Sequence, residues 1–187
     1  MTITRALALA TLSAGIAACG GASTSPKPAQ VDGNWLASFS KISGNVAGIQ
    51  ISCSSVEPTQ LSISQSGLTF NGTYDGGTLS CSAQGETAEG DFGSGSVING
   101  TISGRNVAFD LDVPVQHLTG VVDGASASGR ITITDEADGI TLSGTWSATR
   151  SSAASALIAR SVSHRADLIG AARIVVQRVA ALYDATR

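Results

Sequence analysis

Aromatic residues make up only 4% of this 187-residue chain and charged residues 13%, with a single methionine and two histidines. So low a charge excludes the self-repelling, poorly hydrophobic composition of a disordered protein. So few aromatics argue against the Trp and Tyr girdles that a membrane-spanning barrel sets at both interfaces. The amino-terminal apolar run, Ala6–Ala18, falls short of the roughly 20 residues a membrane-spanning helix needs. The chain also lacks a Gly-x-Ser-x-Gly elbow, a phosphate loop and a dinucleotide fingerprint. Neither His117 nor His164 has a metal-ligating neighbour at i+2 or i+4. These absences argue against an enzyme, and no cofactor or metal is expected.

What the amino terminus does have is the layout of a secretory signal. Arg5 supplies the positive end, the short apolar run follows, and Ile16-Ala17-Ala18-Cys19 closes it. This tetrapeptide resembles the bacterial lipobox, an aliphatic residue and two small ones before a cysteine. The resemblance implies a signal peptide over residues 1–18, acylation of Cys19 and cleavage in front of it. Two or more acyl chains hold a protein stably on a membrane, whereas one does so only reversibly. Gly20 stands where related lipoproteins retained in the inner membrane carry Asp, which favours the outer membrane, facing the periplasm. Residues 19–30 are rich in Gly, Ser and Pro without apolar periodicity and read as a flexible tether.

Charge is unevenly divided. Residues 31–149 carry three basic side chains (Lys41, Arg105, Arg130) against twelve acidic ones, whereas from Arg150 onward six arginines face only Asp167 and Asp184. An acidic body excludes nucleic acid as a partner, and the basic tail is suited to the body itself or to anionic lipid. With Cys19 assigned to lipid, Cys53 and Cys81 remain. In an exported domain two cysteines are most simply a disulfide, worth about 3.5 kcal/mol in the chain-entropy account.

From Val31 the apolar residues recur at every second position. Trp35, Ala37 and Phe39 begin the pattern, followed by Leu61 and Ile63, then Leu68, Phe70, Gly72 and Tyr74. Val107, Phe109, Leu111 and Val113 continue it, then Ile131 and Ile133. Ile140, Leu142, Gly144, Trp146 and Ala148 complete it, set against Thr141, Ser143, Thr145 and Ser147. Such alternation marks antiparallel strands with one buried and one wet face. Asp75-Gly76-Gly77, Gly104-Arg105-Asn106, Asp123-Gly124 and Asp138-Gly139 punctuate the runs as hairpin turns. The expected fold over residues 31–150 is an all-β, up-and-down meander barrel of eight or nine strands, a sandwich being the alternative. Glu86, Glu89 and Asp91 are placed in a Gly-rich loop, and Asp135, Glu136 and Asp138 at a solvated turn. Strand glycines (Gly72, Gly100, Gly120, Gly129, Gly144) either leave room for a ligand or let a narrow barrel coil tightly.

Gly33-Asn34-Trp35 at the start of this region resembles the Gly-x-Trp signature of lipocalin and other calycin barrels. In those barrels the tryptophan closes the base and a late arginine packs across its ring. The resemblance assigns barrel closure to Gly33, Trp35, Trp146 and Arg150. Residues 151–187 then read as an amphipathic α-helix: Ile158, Val162, Ile169, Val176 and Tyr183 share a face opposite Arg160, His164 and Arg178. That face is suited to the barrel, to a partner or second copy, or to a membrane surface. Two functions follow: a membrane-anchored module binding a small apolar ligand inside its barrel, or an envelope lipoprotein that meets another protein through its rim or helix.

Overall fold

The computed structural model describes residues 27–112, 115–136, 139–151, 173, 174, 176 and 177. The expected signal peptide over 1–18, Cys19 and the part of the expected tether before Lys27 lie outside the described residues. So does most of the segment 151–187. Arg173, Ile174, Val176 and Gln177 have helical backbone, but no helical element is defined among the described residues, so the carboxy-terminal helix is not part of the described fold.

Among the described residues, eleven strands form one antiparallel sheet: β1 (Gly33–Val46), β2 (Ile49–Glu57), β3 (Thr59–Ser66), β4 (Thr69–Asp75), β5 (Thr78–Ala83), β6 (Glu86–Asp91), β7 (Gly95–Ser103), β8 (Asn106–Asp112), β9 (Val115–Asp123), β10 (Ser126–Asp135) and β11 (Ile140–Arg150). Eight of them, β1, β3, β4 and β7 to β11, close into a barrel through the pairing of β11 with β1. The fold is therefore a barrel and not a sandwich.

The barrel has eight strands, within the expected eight or nine, but three further strands interrupt the expected meander order. β1 has two partners on one edge: Gly33–Ala37 pair with β3, whereas Ile42–Val46 pair with β2. β2 continues into β5 and β6, giving a three-stranded arm that rises from the upper half of β1. Glu86, Glu89 and Asp91 thus lie on a strand of the arm and not in a loop. The weak, Ser- and Gly-rich alternation there conceals a hairpin that pairing with β2 supports. Leu68, expected to face inward, sits in the β3–β4 turn and is 56% exposed.

Register fixes the barrel's tilt. A circuit along paired residues runs from Gly33 to Ile63, Gly72, Val97, Leu111, Gln116, Ile133 and Leu142, and returns to β1 at Gly44. This offset is the shear that closure demands, and it tilts the strands against the barrel axis. The two ends are therefore distinct. Trp35 and Arg150 mark the base, and Val46, Gln116, Asp135 and Ile140 lie toward the upper rim.

The interior is filled. Phe39, Ile42, Leu111, Leu118, Ile131, Ile133 and Leu142 are all at most 2% exposed and belong to a single apolar cluster that also takes in the arm. The strand glycines do not open space. A Cβ at Gly72 would stand 2.0 Å from the Ser62 carbonyl oxygen, and one at Gly129 1.8 Å from that of Thr119. These residues let neighbouring strands approach and bend over one another, the tight-coiling alternative read from the sequence. Outward positions of β11, Thr141, Ser143, Thr145 and Ser147, are polar and solvated. A barrel facing lipid has this polarity reversed.

Gly129→Ala is expected to destabilise the fold by more than about 2 kcal/mol, because the methyl group cannot move away from backbone. A denaturant midpoint equal to that of the parent chain would show that the strands can part at this crossing.

Candidate functional site

Trp35 is 3% exposed at the base, and its indole N–H donates to the Val31 carbonyl at 2.8 Å. The Arg150 guanidinium lies over its ring, 4.5 Å from the centroid. Arg150 also donates through its two terminal nitrogens to the backbone carbonyls of Asp32 and, at 2.7 Å, Gln30. Strand register places the pair, since Trp35 stands directly opposite Arg150 across β1 and β11. Gly33 makes room: a Cβ there would be 3.1 Å from the guanidinium, and its φ of 110° is one that side chains rarely tolerate. Trp146 sits deeper, its N–H donating to the Thr119 carbonyl at 3.0 Å and its ring edge-on to Phe109 at 5.7 Å.

Gln65 stitches the incoming chain across this base. Its side-chain oxygen accepts from the Val31 N–H at 2.7 Å, and its side-chain N–H donates to the Ala29 carbonyl at 3.2 Å. The Ala29 N–H in turn donates to the Gly104 carbonyl. Chain arriving at Lys27 therefore enters at the base.

Between the two tryptophans is an apolar cavity of about 30 Å³, walled by Val31, Trp35, Phe70, Phe109, Val122 and Trp146. A water needs roughly 10–15 Å³ on this measure, whereas ligand pockets occupy about 300–1,000 Å³.

At the opposite end, Cys53 and Cys81 are joined in a disulfide. They face one another across β2 and β5 and are at most 2% exposed. Phe92, just after β6, stacks on Phe39 with ring centroids 4.5 Å apart, meets Tyr74 edge-on, and donates its N–H to the Gly77 carbonyl. It locks the arm onto the barrel. Its signal in sequence was only that it is the one aromatic in a Gly-rich stretch.

Sequence reasoning missed two polar features. On the outer face, Asp110 of β8 accepts from Asn99 at 2.8 Å and contacts His117 of β9 at 2.7 Å. Burial pushes the Asp110 carboxyl up, but hydrogen bonds from Asn99 and His117, with the charge of His117, outweigh it and hold it below its ordinary 3.8. Inside the barrel, Gln116 is fully buried with neither amide atom hydrogen-bonded. Among the described residues, no three His, Cys, Asp or Glu side chains converge as metal ligands, and no helix is long and apolar enough to cross a membrane.

No protein-family model matches the chain, and no curated protein matches it. The calycin likeness therefore stands on Gly33, Trp35, Arg150 and the closed barrel alone.

Two outcomes follow from this geometry. Arg150→Ala should lower stability by about 1–2 kcal/mol, through loss of the ring contact and the carbonyl bonds. Arg150→Lys should restore less than half, because an ammonium cannot present the guanidinium fork. Equal denaturation curves for Lys and Arg would rule out the fork. For Asp110, a folded value below the unfolded one gives stability that is present above about pH 4. That stability is lost as pH falls through the lowered folded value. Asn99→Ala should move the Asp110 carboxyl upward in a carbon-detected NMR titration, and an unmoved carboxyl would remove Asn99 as a cause.

Proposed function

We propose that this chain is a bacterial envelope lipoprotein, held by acyl chains on Cys19, whose barrel is a rigid scaffold meeting another envelope protein through its surface. The observation that carries this reading is the filled interior. A cavity of about 30 Å³ has no place for an apolar ligand of ordinary size, so the barrel's exposed faces, rim and tail are what it offers to others. The small-ligand alternative requires this cavity to grow roughly tenfold.

The membrane part of the reading rests on Ile16-Ala17-Ala18-Cys19 and on Gly20, which favours the outer membrane and a periplasm-facing domain. Entry of the chain at the base supports it mechanically, because a tether over 19–30 then joins the barrel at one end and leaves the opposite rim clear. The amphipathic helix over 151–187, with its excess of arginine, belongs to the same proposal as the segment that meets the acidic barrel.

Cys19→Ser is expected to move the protein from the membrane fraction to the soluble periplasmic fraction and to abolish incorporation of labelled palmitate. A Cys19→Ser protein still bound to membrane would sink the anchoring argument. Native mass spectrometry of the membrane-extracted protein should show no bound small molecule. A stoichiometric ligand would return the barrel interior to the role of binding site.

A further inference from the structure

We infer that the outer edge of β6 is a docking site for a partner protein that adds one extended, basic strand to the arm. The inference rests on the scaffold reading above and names the class of partner. β6 is the last strand of the sheet: β5 lies on one side of it and, among the described residues, no strand lies on the other. The hairpin fixes which backbone groups face outward. Gln84 and Gly85, with φ of 50° and 91°, form a two-residue turn closed by the pairing of Ala83 with Glu86. Residues flanking such a turn exchange both backbone hydrogen bonds, and along the ladder they alternate with pairs whose groups point away. Glu86, Ala88 and Gly90 therefore bond to β5, whereas the N–H and C=O groups of Glu89 and Asp91 face the open edge. Phe92 continues the alternation, since its N–H turns back to the Gly77 carbonyl.

Edges of this kind are ordinarily blunted by a bulge, a proline or a covering segment. β6 has neither proline nor register shift in its pairing with β5. It is also held in place from both sides. Ala88 stands opposite Cys81, whose disulfide reaches β2, and Phe92, the residue after the strand, stacks on Phe39 and meets Tyr74. A preformed edge spares a partner the ordering cost on this side. Its protection is charge of one sign. Glu86, Glu89 and Asp91 take part in no salt bridge among the described residues, and Glu89 and Asp91 are exposed on the face opposite buried Ala88.

That charge selects the occupant. A second copy pairing antiparallel through its own β6 sets carboxylates against carboxylates, which opposes self-association. The basic segment 151–187 of this chain has its apolar residues at helical spacing and does not alternate as a strand does. A partner strand with Lys or Arg at every second position puts its cations beside Glu89 and Asp91 while its backbone bonds theirs. Main-chain bonds then supply affinity, and the carboxylates supply specificity.

The test uses the full chain and a synthetic peptide in which Lys and Val alternate over about ten residues, enough to pass the whole of β6. In the protein alone, the Glu89 and Asp91 amides should exchange with solvent unprotected. Protection at low concentration would mean that the chain itself covers the edge, and protection only at high concentration that a second copy does; either overturns the proposal. With the peptide, protection of these two amides should rise at least about tenfold. A peptide N-methylated throughout keeps its charge but has no backbone donors, and should bind at least about tenfold more weakly. Equal affinity for the two peptides would show attraction without strand addition and refute the docking site. Glu89→Lys with Asp91→Lys, both at exposed positions, should fold as the parent does and lose the peptide. Cross-linking in the intact envelope separates this inference from the scaffold reading. A partner captured by the parent and lost from the double variant supports both. One that the variant retains removes the edge and leaves the scaffold, and no partner for the parent removes the scaffold while the peptides still decide the edge.

Discussion

Everything in this domain depends on the pairing of β1 with β11. The two strands run together from Trp35 opposite Arg150 to Asn45 opposite Thr141, and that ladder turns an open sheet into a closed one. Closure removes the two edges that the eight barrel strands would otherwise offer to other chains, leaving β6 of the arm as an edge. It also sets the shear, hence the tilt, hence the narrow bore that glycines such as Gly72 and Gly129 make accessible. The base follows from the same register. Because Arg150 ends up beside Trp35, one guanidinium can cover the indole and bond the carbonyls of the incoming strand.

Closure alone leaves the upper half of β1 without a neighbour on its other edge, since β3 reaches only to Ala37. A bulge between Ser40 and Ser43, with Lys41 at a φ of 53°, turns that half away to meet β2. Bulges commonly bend strands at barrel rims in this way. The arm that results is too small to bury a core of its own. Two devices compensate. The Cys53–Cys81 bond ties β2 to β5, and Phe92 inserts between arm and barrel against Phe39 and Tyr74. Arm and barrel therefore share one apolar core.

These features were unequally legible in the sequence. The alternation of β8 and β11, the hairpin turns and the pairing of Cys53 with Cys81 could be read directly, because each depends on residues close in sequence or on elimination among few candidates. The juxtaposition of Trp35 and Arg150 came from a family likeness and not from any local pattern. The arm was legible only in part. The segments around Cys53 and Cys81 alternate as strands do, with Leu79, Cys81 and Ala83 inward in β5, but β6 offers only Ala88 among Glu, Thr, Gly and Asp, and the positive φ of Lys41 is announced by no property of lysine. Gln116 escaped for a different reason: glutamine at a strand end is ordinarily a surface residue, and only its register inside a closed barrel buries it.

The two ends of the barrel thus have opposite relations to the rest of the chain. Residues 29–32 are bound to the base by Gln65 and Arg150. Arg173 and Val176 are bound to the far rim. A lipid on Cys19 would turn the base toward the membrane, with the arm and upper mouth facing away from it. The charge asymmetry then takes on a spatial meaning. Arg173 pairs with Asp135 at the rim, where the acidic barrel attracts it, at the end opposite the base. Arg173 of the basic tail thus reaches the barrel at the end where the amide of Gln116 lies buried without a hydrogen-bond partner.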